Sequence, residues 1–354
     1  MTTPGKPRIS RRLAGAAALA AFAAATLAAI LFFDTPPAAN WEEKVVTIPK
    51  GSRLPEVISR MEEGGVLRHP LTFRALAVLT STDRKLQYGE YIFPKPLSTF
   101  GIWNRIRRGD AKGYEITVLP GSNIYDVAAA IQEKKLGDPE AFLAAATAPA
   151  VMNRLEIPGE SAEGYLYPET YNFHKPITPE EILEEMVRMF RKNFTPAMER
   201  RAKERSLSLH QVVTIASIIE KETGLEEEKP LVSAVIRRRL ALGMPLQMDP
   251  TVIYGIKRFD GTVTRKDLRT PGPYNSYLNR GLPPGPIANP GMSAVLAALS
   301  PAEADYLYFV SRNDGSHTFS RTLQEHNQAV EEYRAAREKE PDEATPQPPP
   351  SGPS

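Results

Sequence analysis

Between Val212 and Ile219 the chain reads VVTIASII, a run in which every residue is apolar or small. Ser208 and Gln211 stand before it at capping-box spacing, and Gly224 stands after it as a stop signal. A helix that is apolar on every side cannot lie on a surface and must be wrapped by other elements. The chain is long enough to supply them. Its 354 residues suffice for two or three domains, and 42% hydrophobic with 24% charged residues is the balance of a folded protein. The run ends in charge, at Glu220, Lys221 and Glu222. A carboxylate beside Ile218 and Ile219 is costly to desolvate. Desolvation raises a carboxyl pKa, which suits a general acid near neutral pH. Glu222 lies about 200° further round the helix, so it faces elsewhere, and a structural role is expected of it. The pattern leaves a second reading open, in which this charged triplet is only a solvated helix end. The helix macrodipole disfavours acidic groups there, so two glutamates call for compensating partners.

Helices and strands are legible around this run. Thr178 and Glu181 form a second capping-box pair, Pro179 suits the first helical position, and Ile182, Met186, Phe190 and Phe194 share one stripe. KPLVSAVIRRRLALGMP predicts a further helix, stopped at Gly243 and Pro245. Its Arg237 to Arg239 read as a solvated face rather than a nucleic-acid site. DYLYFVSRNDGSHTFS predicts a hairpin turning at Asp314-Gly315, followed by a helix from Thr322 to Arg337. Upstream, a strand (Val45 to Ile48), a helix through Leu54, Val57 and Met61, a helix over Leu71 to Leu79 and a strand around Gly89 make a small βααβ module. TIPKGSRLPEV, from Thr47, recurs as TVLPGSNIYDV, from Thr117, at a constant offset of 70. Two uses of one strand–turn–helix solution explain it, with Gly51 and Gly121 at the positive-φ corner.

The N-terminus bears on location. Lys6, Arg8, Arg11 and Arg12 precede Leu13 to Phe33, 21 residues without a charge. That is long enough to span a bilayer as a helix, with the basic flank on the cytoplasmic side. The run is longer than the apolar core of an ordinary leader, and the bulky ILFF stands where a cleavage site wants small residues. An uncleaved anchor is the expectation. The Pro-rich end of the chain, 338–354, is expected to be disordered.

Several chemistries are excluded. There is no cysteine, hence no disulfide, thiol nucleophile or thiolate zinc site. The five histidines show no metal-ligand spacing, and Ser217 has no nucleophile elbow around it. A net charge of +2 gives no general footprint for nucleic acid. What remains is carboxylates, amides and aromatics. LQMDPTVIYG offers Gln247 and Asp249, and Asp249-Pro250 suits an N-cap and first turn. GYLYPETYNF sets Glu169 among tyrosines, a mixture that suits sugar rings and ordinary packing alike. PYNSYLNRGLPPGPIANPG, Pro273 to Gly291, is too rich in Pro and Gly for a helix, and long loops of this kind are usually functional.

Taken in order, EGYLYPETYNF, ASIIEKETG, LQMDPTVIYG, PYNSYLNRGLPPGPIANPG and YLYFVSRNDGSHTFSRTLQEHNQAV resemble the successive signatures of the endolytic murein transglycosylases, the MltG or YceG-like family. The resemblance runs from Lys44 to Arg337 and extends to the N-terminal anchor. Met248 stands where the family often has a small hydroxyl residue. The resemblance implies an α+β fold with these parts: a cytoplasmic tail (1–12), a transmembrane helix (13–33), a LysM-like module (44–112), a catalytic domain (113–337) and the disordered tail (338–354). It implies a lytic transglycosylase, held in the bacterial plasma membrane with its catalytic domain outside the cytoplasm. Such an enzyme cleaves the MurNAc–GlcNAc bond within nascent peptidoglycan strands and leaves 1,6-anhydro ends. The implied catalytic residue is Glu220, with Gln247, Asp249, Tyr274, Asn275, Glu169 and His317 in the groove. No metal or cofactor is implied. The implied partners are glycan strands and peptidoglycan synthases (penicillin-binding proteins). A hydrolytic muramidase, with Glu169 or Asp249 as second carboxylate, and a non-catalytic wall-binding scaffold are the competing expectations.

Overall fold

A computed structural model describes residues 11–33, 40–256, 261–312 and 314–339, with side chains left out at 11–14, 27, 30–33 and 336–339. The expected basic tail and Pro-rich tail fall almost wholly outside these residues. The chain divides into two units, Met1–Glu115 with Asn172–Ile177, and Ile116–Tyr171 with Thr178–Ser354. Helix and sheet are mixed in it, as expected of an α+β chain, and the strands form three two-stranded sheets among the described residues.

The first unit holds α1 (Arg11–Phe33), β1 (Lys44–Ile48), α2 (Leu54–Glu63), α3 (Pro70–Leu79), β2 (Gly89–Phe93), α4 (Thr99–Arg108) and the start of β3 (Gly113–Thr117). β1 pairs antiparallel with β2, from Lys44 opposite Phe93 to Ile48 opposite Gly89. Val46, Ile48, Val57, Met61, Phe73, Tyr91 and Phe93 fill the core, and Ile102 and Ile106 of α4 complete it. Sequence reading had missed α4, whose start is capped by the Ser98 hydroxyl and whose end turns at Gly109. Among the described residues no helix is long and apolar enough to cross a membrane. The continuous stretch of α1 with described side chains is only 15–26.

The second unit holds the end of β3, α5 (Ile124–Glu133), α6 (Pro139–Ala146), α7 (Pro149–Arg154), the start of β4 (Thr170–His174, whose last three residues belong to the first unit), α8 (Pro179–Asn193), α9 (Pro196–Glu204), α10 (Leu209–Glu222), α11 (Lys229–Ala241), α12 (Asp249–Gly255), α13 (Met292–Leu299), β5 (Tyr308–Ser311), β6 (His317–Ser320) and α14 (Leu323–Lys339). The all-apolar helix α10 lies at its centre. Val212 to Ile219 are all buried, with α9, α11, α12 and α13 packed around them. Each buried Val or Ile contributes about 1.5–3 kcal/mol of transfer free energy, which is why the run organises the unit.

The local signals hold where they depend on neighbours in sequence. Both predicted capping boxes form, at Thr178–Glu181 and Ser208–Gln211. The repeated turn places Gly51 (φ 79°) and Gly121 (φ 82°) in the same left-handed conformation. Two details differ. α10 ends because Thr223 turns extended (φ −142°, ψ 138°), and Gly224 plays no left-handed stop. Asp249 is the first residue of α12 rather than its N-cap, which is Met248.

The Pro-rich loop 273–291 has no helix, as expected, and is held by buried polar groups. Asn289 is fully buried. Its Oδ1 accepts from the Gly164 and Leu166 amides (2.9 and 3.0 Å), and its Nδ2 donates to the Ser122 carbonyl (2.9 Å). One side chain thus ties three loops together, satisfying backbone groups that would be costly to leave unpaired.

Candidate active site

The two glutamates at the end of α10 point to opposite sides, as helix geometry requires, and their surroundings differ. Glu220 meets donors. Its Oε2 accepts from the Gly291 amide at 2.9 Å and its Oε1 faces Lys229 Nζ at 3.4 Å. Lys229 is itself buried, and also reaches Glu226 and Ser293 (2.8 Å each). Glu220 is therefore a tie between the end of α10 and the starts of α11 and α13. These donors supply the compensation that an acidic group at a helix C-terminus needs.

Glu222 opens on a cleft of about 400 Å³. Its side chain as a whole is half-buried, but Oε1 is sealed from solvent and has no hydrogen-bond partner among the described residues. That sealed oxygen sets the carboxyl's environment. Burial pushes Glu222 up to about 8, nearby Asp249 adds to the rise, and Arg239 opposes it. Asp249 and Gln247 line the same cleft from the start of α12, with Tyr277 from the long loop. Tyr277 donates its hydroxyl to Asp249 Oδ1 at 2.5 Å. Gln247 holds a left-handed backbone (φ 52°), rare outside glycine and a form of strain that clusters at functional sites. Tyr308 and Phe309 of β5 and His326 of α14 give the cleft an aromatic wall.

Arg239 corrects one sequence expectation. It is 6% exposed, not part of a solvated face. Its Nε donates to the Leu307 carbonyl (2.7 Å), its Nη1 to the Leu246 carbonyl (2.7 Å) and toward Gln247 Oε1 (3.3 Å), and its guanidinium lies over the Tyr308 ring. His326 stacks on the same Tyr308 ring, with 5.1 Å between centroids. Burial, with Arg239 nearby, pulls its pKa below the ordinary histidine value, so its ring is neutral at neutral pH.

Of the seven site residues the sequence suggested, Gln247 and Asp249 line this cleft. The other five are placed differently. Glu220 faces Lys229 and Gly291, away from it. Asn275 is buried and spends its amide on the Leu268 and Thr270 carbonyls (3.1 and 2.8 Å), closing the loop before it. Tyr274 packs edge-on against Tyr254 (4.9 Å). Glu169 is exposed just before β4, where its Oε1 accepts from the Thr170 amide. His317 is engaged by Glu228, behind the cleft wall. Conversely, Glu222, Arg239, Tyr277, Tyr308 and His326 were missed as site residues. A signal existed for Arg239, since three consecutive helical residues point in three directions and one of an Arg run beside a core must face inward.

A second buried carboxyl is Glu163, pushed up to about 7 by burial. It caps the first amide of α5 (Ile124, 3.1 Å) and accepts from the Tyr254 hydroxyl (3.1 Å). At 1% exposure it has no cleft to act in.

Comparison with known proteins agrees with this architecture. A model of the YceG-like family matches residues 46–332. The endolytic murein transglycosylase of Bacillus subtilis (strain 168) is 33% identical over 305 residues, covering 81% of this chain and 84% of that protein. The endolytic murein transglycosylase of Streptococcus pneumoniae (serotype 2, strain D39) is 28% identical, and the match spans 58% of its length. A yceG-like protein of Listeria monocytogenes, solved by crystallography, superposes with a TM-score of 0.57 at 30% identity, covering 81% of this chain and 98% of that one. Matched over more than half its length, the chain belongs to the YceG-like family.

Proposed function

We propose that this chain is an endolytic lytic transglycosylase of peptidoglycan, with Glu222 as its acid and then its base. The observation that carries the assignment is a carboxyl with one sealed oxygen, unpartnered among the described residues, raised to about 8 and opening on a cleft with an aromatic wall. The transglycosylase relatives support the reaction class.

The chemistry follows from that carboxyl. At neutral pH Glu222 is protonated and donates to the glycosidic oxygen leaving the MurNAc anomeric carbon. As that C–O bond breaks, the sugar's own 6-hydroxyl closes on the carbon, and its proton passes to the Glu222 carboxylate. Glu222 ends as it began, and no water is consumed. Asp249, oriented by the Tyr277 hydroxyl, places negative charge near the developing oxocarbenium carbon. Tyr308 and Phe309 offer apolar faces to sugar rings. Asp249 also keeps the muramidase reading alive, because a second carboxylate in the cleft is what hydrolysis uses. Mass spectrometry of murein digested by the full chain separates the two. Ends one water lighter than a hydrolysis product are expected, and ordinary reducing ends would overturn the transglycosylase assignment.

The finer organisation belongs to the same reading. Residues 13–33 act as an anchor in the plasma membrane, with the catalytic unit outside the cytoplasm. Residues 44–112 form a LysM-like module. The enzyme works beside penicillin-binding synthases on nascent strands. The uncharged run Leu13 to Phe33 with its basic flank supports the anchor. The full chain is expected in the membrane fraction, released by detergent but not by carbonate. Recovery in the soluble fraction would remove the anchor.

A further inference from the structure

One buried carboxylate outside the cleft ties its two sides together. Glu228, at the start of α11, is 6% exposed. Its Oε2 accepts from the Thr223 hydroxyl at 3.0 Å and from His317 Nδ1 at 2.7 Å, and its Oε1 accepts from the His317 amide at 2.7 Å. Burial works to raise this carboxyl, but the hydrogen bonds from His317 and Thr223 outweigh it and leave the pKa below the ordinary value. Glu228 is therefore an anion that needs its donors, and an ionised acceptor fixes the proton of His317 on Nδ1.

Both donors lead to the cleft. Thr223 follows Glu222 directly, is 4% exposed, and is the extended residue on which α10 ends. Its hydroxyl also accepts from the Leu225 amide at 3.1 Å, so it donates to Glu228 while holding the chain just beyond α10. His317 opens β6, and its ring stands edge-on against Phe309, 5.4 Å between centroids. Phe309 lines the cleft together with Glu222. The path from the carboxyl of Glu222 to the aromatic wall thus runs through one carboxylate and two hydrogen-bonded side chains.

We propose that Glu228 is a positioning residue, which through Thr223 and His317 holds the Glu222 end of α10 at a set distance from the β5–β6 wall. The proposal rests on Glu222 being the acid. A misplacement of about 1 Å at a reacting group can cost about 100-fold in rate, so the tie bears directly on turnover.

The test uses the full chain and four variants. Thr223→Val removes the hydroxyl at constant shape, Thr223→Ser keeps it, Glu228→Gln removes the charge, and Glu222→Gln removes the acid. Release of anhydro-ended glycan is measured against substrate concentration and pH, with thermal unfolding alongside. Thr223→Val and Glu228→Gln should lower kcat by about 10- to 100-fold with KM within about threefold. Thr223→Ser should restore at least half of kcat. The alkaline limb of the pH–rate profile should move to lower pH in Thr223→Val, because a displaced Glu222 regains solvent. The other titratable and charged groups that line the cleft with Glu222 are Asp249, Arg239, Tyr277, Tyr308 and His326, all intact in these variants. A merely structural tie would lower activity only in step with unfolding and leave the limb in place, and that result would overturn the proposal. So would wild-type kcat in Thr223→Val. If Glu222→Gln stays active, the assignment of the acid falls and this proposal with it. If Glu222→Gln is inactive while Thr223→Val turns over normally, only the positioning role is lost.

Discussion

Replacing Glu222 by Gln is expected to lower glycan cleavage by about 10²–10⁴-fold, the usual contribution of a positioned general acid. Gln has the shape of a protonated carboxyl and can neither give nor take the proton. The same change at Glu220 is expected to act on stability instead. There a carboxylate accepts from the Gly291 amide and balances buried Lys229. A neutral amide keeps the shape but leaves that ammonium more dependent on Glu226, at a cost of about 1–3 kcal/mol. The pair of variants separates the roles by the quantity each moves: kcat for Glu222, the unfolding temperature for Glu220. Loss of turnover in a folded Glu220→Gln enzyme, with Glu222→Gln active, would return the catalytic role to Glu220. Unfolding of Glu222→Gln should show a sign that few active-site changes share. A carboxyl raised from 4.5 to about 8 binds its proton more tightly in the folded state than in the unfolded one. Its stabilising effect is complete below about 4.5 and is lost as pH rises through about 8. The variant should therefore gain on the wild type in unfolding temperature as pH rises across that window.

Activity should follow the same proton. If Glu222 must be protonated to act, kcat/KM is level below about 8 and falls tenfold per pH unit above it. Residual activity of Glu222→Gln should show no such limb. Burial is the main cause of the raised value, with Asp249 adding and Arg239 subtracting. Asp249→Asn should accordingly move the limb to lower pH, by removing a negative neighbour. A wild-type profile that stays level to pH 10 would exclude Glu222 as the acid. Glu163, raised to about 7, adds a second fall in stability between about 4.5 and 7, without a place in the rate profile. Glu163→Gln is the control that assigns that fall.

The family relationship and the central helix were both legible before any coordinates. A capping box is an i to i+3 interaction, so Thr178 with Glu181 and Ser208 with Gln211 carry their own evidence. An apolar run such as Val212 to Ile219 dictates its burial, because water is excluded from every side of it. The hairpin at Gly315 and the paired corners at Gly51 and Gly121 are backbone matters of the same local kind. Even the divergence of Glu220 and Glu222 followed from 100° per residue. What the sequence could not say is which direction holds the cleft. A helix has no front until something packs against it. The amide of Gly291, 71 residues on, and the ammonium of Lys229 claim Glu220. Arg239, Asp249 and the wall of Tyr308 and Phe309 close round Glu222. In the same way Arg239 was an ordinary member of a basic run until α11 turned it toward the core, and Asn275 was a groove candidate until its amide closed on its own loop. Sequence alone determined the central helix, the two capping boxes, the buried run and the family, since those rest on neighbours along the chain. The tertiary structure decided which carboxylate is tied and which is poised, since burial and partnership are set by residues distant in sequence.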